Sequence, residues 1–178
     1  GKTTFCMHAA GEKLAQGKRV VYIDAEQSLD AHRFEEIHEG QSLDIGKLLI
    51  LRPTSFADLH AKILNLRTVL DHCHLIVVDT IGSFYRREAG DDLRATSNNA
   101  LMQMRVLSEL SKHVLVIVTN QVSAVMGTSD VRMVGGNLIG RWGSTIVELK
   151  KDPRRMVFTK PEEKTLLFDI TARGMILR

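Results

Sequence analysis

Several residues in this sequence are suited to handling a phosphate, a hard cation and a water molecule. Gly1-Lys2-Thr3-Thr4 matches the end of the phosphate-loop pattern G-x-x-x-x-G-K-[ST]. In that pattern Lys2 reaches the β and γ phosphates, and Thr3 offers its hydroxyl to Mg2+. The N–H groups of the first helical turn, Thr4 included, hold phosphate oxygens with the help of the helix dipole. The first glycine, its four spacers and the strand that feeds them are expected before Gly1, so the loop reads as cut within its length. Poor ATP binding by residues 1–178 alone is expected on that account. A bare G-K-T is common, and a flexible segment ahead of a helix is the other reading of the same four residues.

Three later strand ends carry compatible chemistry. Asp79 follows the apolar run "LIVV", and a carboxylate there can hold the waters of Mg2+. The bland reading is an Asp that caps whatever follows the strand. Glu26 stands in "VVYIDAEQS", two residues past an expected strand end. There it can orient or deprotonate an attacking water. Asp24 is its rival, and we read Asp24 as a structural carboxylate. Asn120 and Gln121 follow "VLVIVT", where a side-chain amide can sense a γ-phosphate; two turn residues are the alternative.

The elements that must position these groups are visible as patterns. Runs at 19–24, 47–51, 74–79, 113–120 and 144–150 are rich in Val, Ile and Leu with little alternation, as strands covered on both faces are. A helix is expected over 3–16, with Gly17 as its stop. Ser55 to Asp58 resembles a capping box, and Phe56, Leu59, Ile63, Leu66 and Leu70 repeat at helical spacing behind it. Residues 95–112 hold Leu101, Met104 and Leu107 in the same rhythm. Strand and helix alternate, which predicts an α/β fold with a mostly parallel sheet flanked by helices. Ligands in such sheets bind at the carboxyl ends of the strands, where the candidate residues fall. After the turn signal "KKDPRR" the runs "RRMVFTK", "TLLFDITA" and "MILR" predict an antiparallel β-meander.

Composition narrows the class. The chain has 178 residues, 44% hydrophobic, with 24 Lys and Arg against 21 Asp and Glu. That suits one domain, and the mild positive balance permits nucleic acid without demanding it. Cys6 and Cys73 form no C-x-x-C pair, so a disulfide framework is not expected and a reducing, cytoplasmic setting is. No apolar run approaches the roughly 20 residues that span a bilayer, so no membrane partner is expected. "DHCH" at 71–74 looks like a metal cluster, but it lies where a helix meets a buried strand, which sends neighbouring side chains to opposite faces. His8 reads as a packed helix residue.

Taken in order, "GKTTFCMHAA", "VVYIDAE", "LIVVDT", "VIVTNQV" and "GGNLIGRWGSTIVEL" resemble the core of the RecA-type recombinases, and most of all their archaeal RadA and RadB branches. The resemblance covers nearly the whole chain. It implies a RecA-like P-loop NTPase fold over residues 1–178 as a single ATPase core. It further implies ATP and Mg2+ held by Lys2 and Thr3, Glu26 as the catalytic carboxylate, and Asp79 as the metal-side aspartate. The short stretch before Gly135 and the compact ending are more similar to RadB than to RadA. One departure is "DAEQS", where the family often has Thr before the Glu and Gly after it. Both changes flank the candidate base and bear on turnover more than on binding.

The same resemblance makes residues 82–96 and 122–136 two DNA-binding loops. In the first, Arg86, Arg87 and Arg94 could meet phosphates, and Phe84 or Tyr85 could stack on bases, although Glu88, Asp91 and Asp92 offset the arginines. A solvated helix-entry loop is the competing reading. The second carries Arg132 and reads as mobile and weakly basic. Lys160 is a candidate for reaching a neighbouring subunit's nucleotide in a homo-oligomer. "KKDPRR" reads first as a solvated hairpin and second as a DNA contact. The implied function is an ATP- and DNA-binding recombinase paralogue, favouring single-stranded DNA. It would hydrolyse ATP weakly and assist a recombinase or a Holliday-junction-processing partner in repair. A strand-exchanging RadA-type recombinase and a KaiC-like regulatory ATPase without a DNA role are the alternatives.

Overall fold

The run 144–150 joins an antiparallel sheet with partly exposed side chains, while the other four of the five apolar runs become a four-stranded parallel sheet. Its strands are β1 (Val20–Asp24), β2 (Leu48–Leu51), β3 (Leu75–Asp79) and β4 (Leu115–Val118), in spatial order β2-β1-β3-β4. Every residue of the inner strands β1 and β3 is buried, which is why neither shows an alternating polar pattern. The edge strands β2 and β4 keep partly exposed side chains. The computed structural model describes residues 1–84, 93–124, 131–133 and 141–178.

Helices cover both faces of this sheet. The labels are α1 (Lys2–Ala15), α2 (Ala31–Ile37), α3 (Phe56–Asn65) and α4 (Leu93–Leu110). On one face Cys6, Met7, Ala10 and Leu14 of α1 pack with Phe34 and Ile37 of α2 on Val20, Tyr22, Leu75 and Val77. On the other, Phe56, Leu59 and Ile63 of α3 and Met104, Leu107 and Leu110 of α4 pack on Val21, Ile23, Ile76 and Val78. Successive residues of each strand therefore serve opposite cores. Full burial of each large aliphatic side chain contributes about 1.5–3 kcal/mol.

Local caps fix where the helices start. Ser55 accepts a hydrogen bond from the Asp58 N–H at 3.1 Å. The Asp58 carboxylate reaches back one residue further than in the usual box, accepting from the Thr54 N–H at 2.9 Å. The apolar stripe continues past Asn65 as a 3-10 segment, Leu66–His72, rather than as α-helix. Asp30 caps α2 by accepting from the Arg33 N–H at 2.7 Å.

Beyond the parallel sheet lie two antiparallel pairings. β5 (Val122–Ala124) and β6 (Val131–Met133) form a two-stranded ribbon in which Ser123 faces Arg132. The stretch 122–136, expected as a mobile second loop, thus contains two paired strands, 122–124 and 131–133. β7 (Ile146–Lys150), β8 (Arg155–Lys160), β9 (Lys164–Thr171) and β10 (Gly174–Leu177) form a sheet of order β10-β9-β8-β7. Lys150 and Arg155 close the "KKDPRR" turn as register partners. The expected meander is present, with β7 joined to it.

Helix α1 links the two sheets, packing on β3 and on β10. Its N-cap residue sits on the second sheet: a Cβ on Gly1 would lie 3.4 Å from Leu149 Cδ1 and 3.5 Å from Ile170 Cδ1. Two further contacts fix α2, one to the second sheet and one to α1. Arg33 of α2 donates to the carbonyls of Thr171 and Ala172 at 2.5 and 2.9 Å. The buried His38 ring packs so closely on α1 that a Cβ at Gly11 would stand 1.9 Å from its Nε2.

Candidate nucleotide site

The parallel pairing of β1 with β3 makes Asp24 and Asp79 register partners at the carboxyl ends of their strands. Both are fully buried, so each must be compensated by hydrogen bonds. They are compensated differently. Asp24 accepts from the N–H groups of Ser28 at 2.9 Å and Leu29 at 3.3 Å, and from Arg52 Nε at 3.3 Å. It closes the turn after β1, as a structural carboxylate does. Asp79 instead receives two side-chain hydroxyls: Tyr22 donates to Oδ2 at 3.1 Å and Thr119 to Oδ1 at 2.5 Å.

The turn held by Asp24 carries Glu26 into solvent. Its backbone is braced from β3, since the Ala25 N–H donates to the Asp79 carbonyl at 2.8 Å. The Glu26 carboxylate accepts a hydrogen bond from the side-chain amide of Gln121. Asn120 accepts from the Gln121 N–H at 2.9 Å. The segment after β4 therefore meets the turn after β1 across the end of β3.

Helix α1 points its first turn toward this end of the sheet. Gly1 is its N-cap and brings no side-chain bond, and the first turn holds no acidic residue. Orphan N–H groups at such an end attract anions. The Thr3 hydroxyl lies 3.4 Å from the Ser28 hydroxyl of the Glu26 turn. Burial, followed by the charges of Lys2, Lys151 and Arg154, lowers the Gly1 amine from its ordinary value, and the Asp79 charge opposes them. The basic hairpin thus stands near the phosphate-loop residues. Burial, reinforced by the Asp79 charge, pushes the Cys6 thiol and the Tyr22 phenol up from their ordinary ranges. Both stay protonated, and Tyr22 remains a donor.

Asp79 and Thr3 each offer oxygen donors of the kind a hard cation such as Mg2+ takes. Soft-metal ligation has no comparable support. Cys73 of "DHCH" is buried with its Sγ–H donating to the Leu75 carbonyl at 3.2 Å. Among the described residues no group of three His, Cys, Asp or Glu could hold a metal. No helix among them is long and apolar enough to cross a membrane.

Other candidates fall elsewhere. Phe84 is 3% exposed and packs in the α3–α4 core, so it cannot stack on a base; the apolar pull of that core outweighs its place in a loop. Tyr85, Arg86 and Arg87 lie outside the described residues. Arg94 and Arg132 are placed by backbone in α4 and β6, with side chains outside the described set. The Lys160 ammonium donates to the Gly143 carbonyl at 2.6 Å. Sequence reasoning missed Tyr22, Thr119 and Arg52. A tyrosine inside an all-apolar strand was the available signal, because a buried phenol needs a partner.

A parallel sheet covered by helices, joined through α1 to an antiparallel sheet, with carboxylates at adjacent strand ends, defines a RecA-like α/β protein. Comparison with known proteins narrows this. The RecA N-terminal domain family model matches residues 1–148, and the chain belongs to the RecA family. Within it the chain is RadB-like. It is 30% identical to the DNA repair and recombination protein RadB of Methanococcus maripaludis strain C5, covering 98% of this chain and 85% of that protein. Identity to the RadB proteins of Methanococcoides burtonii and Thermoplasma acidophilum is 29%, covering 98% of this chain and 83% and 80% of theirs. A crystal structure of the RadB recombinase superposes with a TM-score of 0.77 at 28% identity, over 98% of this chain and 84% of that one.

Proposed function

We propose that this chain is the ATPase core of a RecA-family protein of DNA repair and homologous recombination. It binds ATP with Mg2+ and hydrolyses it slowly to ADP and phosphate. The observation that carries this reading is the convergence of the α1 N-terminus, Asp79 and the Gln121–Glu26 pair at one end of the sheet. The kinship with RadB proteins supports the recombination role.

In this reading Lys2, Thr3, Thr4 and the Gly1 turn hold the phosphates. Thr3 and Asp79 would hold the cation, directly or through its waters. Bound Mg2+ supplies charge neutralisation on the phosphate oxygens. Glu26 orients and deprotonates the attacking water, and Asn120 and Gln121 sense the γ-phosphate. Gln121 occupies the Glu26 carboxylate in this state, which restrains the base until that amide turns away.

The segment following Gln121 enters the β5–β6 ribbon, so a nucleotide-dependent shift of Gln121 would bear on Arg132. With Arg86, Arg87 and Arg94, this gives a modest, salt-sensitive preference for single-stranded DNA. The protein acts as an accessory to a strand-exchange recombinase or a Holliday-junction-processing partner, and Lys160 serves a neighbouring subunit when it oligomerises. The test uses the full-length protein. Nucleotide-dependent binding of single-stranded DNA that weakens steeply with salt, without unaided strand exchange, is the expected result. Unaided exchange would make it a full recombinase. Absence of DNA binding at low salt would make it a regulatory ATPase.

A further inference from the structure

Asp79 is fully buried, and two hydroxyls from different strands take its two oxygens. In the order β2-β1-β3-β4, strand β3 lies between β1 and β4. Tyr22 comes from β1 on one side and Thr119 from the end of β4 on the other. Tyr22 is fully buried and Thr119 is 8% exposed, so neither exchanges its partner with bulk water. Backbone bonds pin both donors. Thr119 N–H donates to the Val78 carbonyl at 3.0 Å and Ile81 N–H to the Thr119 carbonyl at 3.1 Å, while Tyr22 is fixed between Ile50 and Val77 in the sheet register.

We propose that Tyr22 and Thr119 are positioning residues for Mg2+: they clamp the Asp79 carboxylate in one rotamer, so that its remaining lone pairs face the α1 N-terminus. The inference rests on the nucleotide reading given above. A carboxylate accepting one bond on each oxygen still has acceptor capacity for metal-bound water. It has lost the freedom to swing, and second partners of this kind tune metal affinity strongly. Both hydroxyls are donated to Asp79, so the clamp acts on the cation through that carboxylate.

The test measures equilibrium binding of a fluorescent ATP analogue to the full-length protein, titrated with Mg2+ and repeated in chelator. Tyr22→Phe and Thr119→Val should each raise the half-saturating Mg2+ about ten-fold, with binding in chelator unchanged. Thr119→Ser, which keeps the hydroxyl, should restore the wild-type Mg2+ dependence. A merely structural role would lower thermal stability and shift binding equally with and without Mg2+, and would overturn the clamp. So would an unchanged Mg2+ midpoint in both variants. If Tyr22→Phe fails to fold, the Thr119→Val and Thr119→Ser pair decides alone. Failure of the wild-type protein to bind the nucleotide at all would instead sink the nucleotide reading itself.

Discussion

Gln121 donates its side-chain amide to the carboxylate of Glu26 across 95 residues of chain. One residue follows the last parallel strand and the other sits on the turn after β1. The pair therefore joins the candidate base to the entry of the β5–β6 ribbon.

Replacing Glu26 by Gln keeps a hydrogen-bonding side chain but removes the proton acceptor. Hydrolysis should fall by about 10²-fold or more, while binding of a fluorescent ATP analogue stays within a factor of two or so of the parent. Phosphate-release assays read the first and fluorescence titration the second. Equal loss of both would deny Glu26 its role as base. In the companion variant Gln121→Ala, the response of DNA affinity to nucleotide should shrink. A full nucleotide response would remove Gln121 from the coupling.

Gly11 is set by the ring of His38. Gly11→Ala puts a methyl 1.9 Å from Nε2, and His38 is hemmed in by Phe34 and His8. The expected cost is about 1–3 kcal/mol in urea unfolding. His38→Ala alone should also destabilise, by leaving a cavity. The double variant should be more stable than the sum of the two predicts, because the new methyl fills space the ring has left. Additive effects would contradict the packing.

Arg33 ties α2 to the β9–β10 turn through two carbonyls and also pairs with Glu36 at 2.9 Å. Arg33→Ala should cost about 1–2 kcal/mol. Hydrogen exchange should show the loss locally, as faster exchange in β10 and α2 with β1 and β3 unchanged. Uniform change across the protein would mean that the bridge is not local.

Cys6 and Cys73 are buried free thiols, and burial raises both above the ordinary thiol range. A raised value leaves less thiolate at any given pH, so native protein at pH 8 should react slowly with an aromatic disulfide reagent. Denatured protein should react with both cysteines within seconds to minutes. The native rate should climb further with pH than that of a free thiol, whose thiolate is already plentiful near pH 9. Rapid native labelling of Cys6 would place α1 differently.

How much of this was written in the sequence depends on what each residue had to satisfy. Apolar runs without alternation announced β1 and β3, since strands covered on both faces bury every side chain. The run 113–120 was harder. Its outer residues serve the helix end and the Thr119–Gln121 segment, so the strand is confined to Leu115–Val118. Helix α2 was missed because its apolar face amounts to Phe34 and Ile37, although Asp30 was a readable cap. Asp24 was readable as a structural carboxylate, but the partners of Asp24 and Asp79 were not. Which carboxylate closes a turn and which receives two hydroxyls depends on partners brought in by pairing, Arg52 for one and Tyr22 and Thr119 for the other. Phe84 looked available in a loop and was drawn into the core.

The register pairing of Asp24 with Asp79 has a consequence for how the site tolerates change. Neighbouring strands lie about 4.8 Å apart, and that spacing acts as a ruler between the aspartate at the end of β3 and the turn that bears Glu26. Insertions in surface loops can lengthen the chain without altering the measurement. A slip of one residue in β1 would not merely move Glu26; it would turn Tyr22 to the opposite face and carry its hydroxyl away from Asp79. The spacing of the chemistry and the partitioning of the two cores are thus one and the same constraint, and neither can drift without the other.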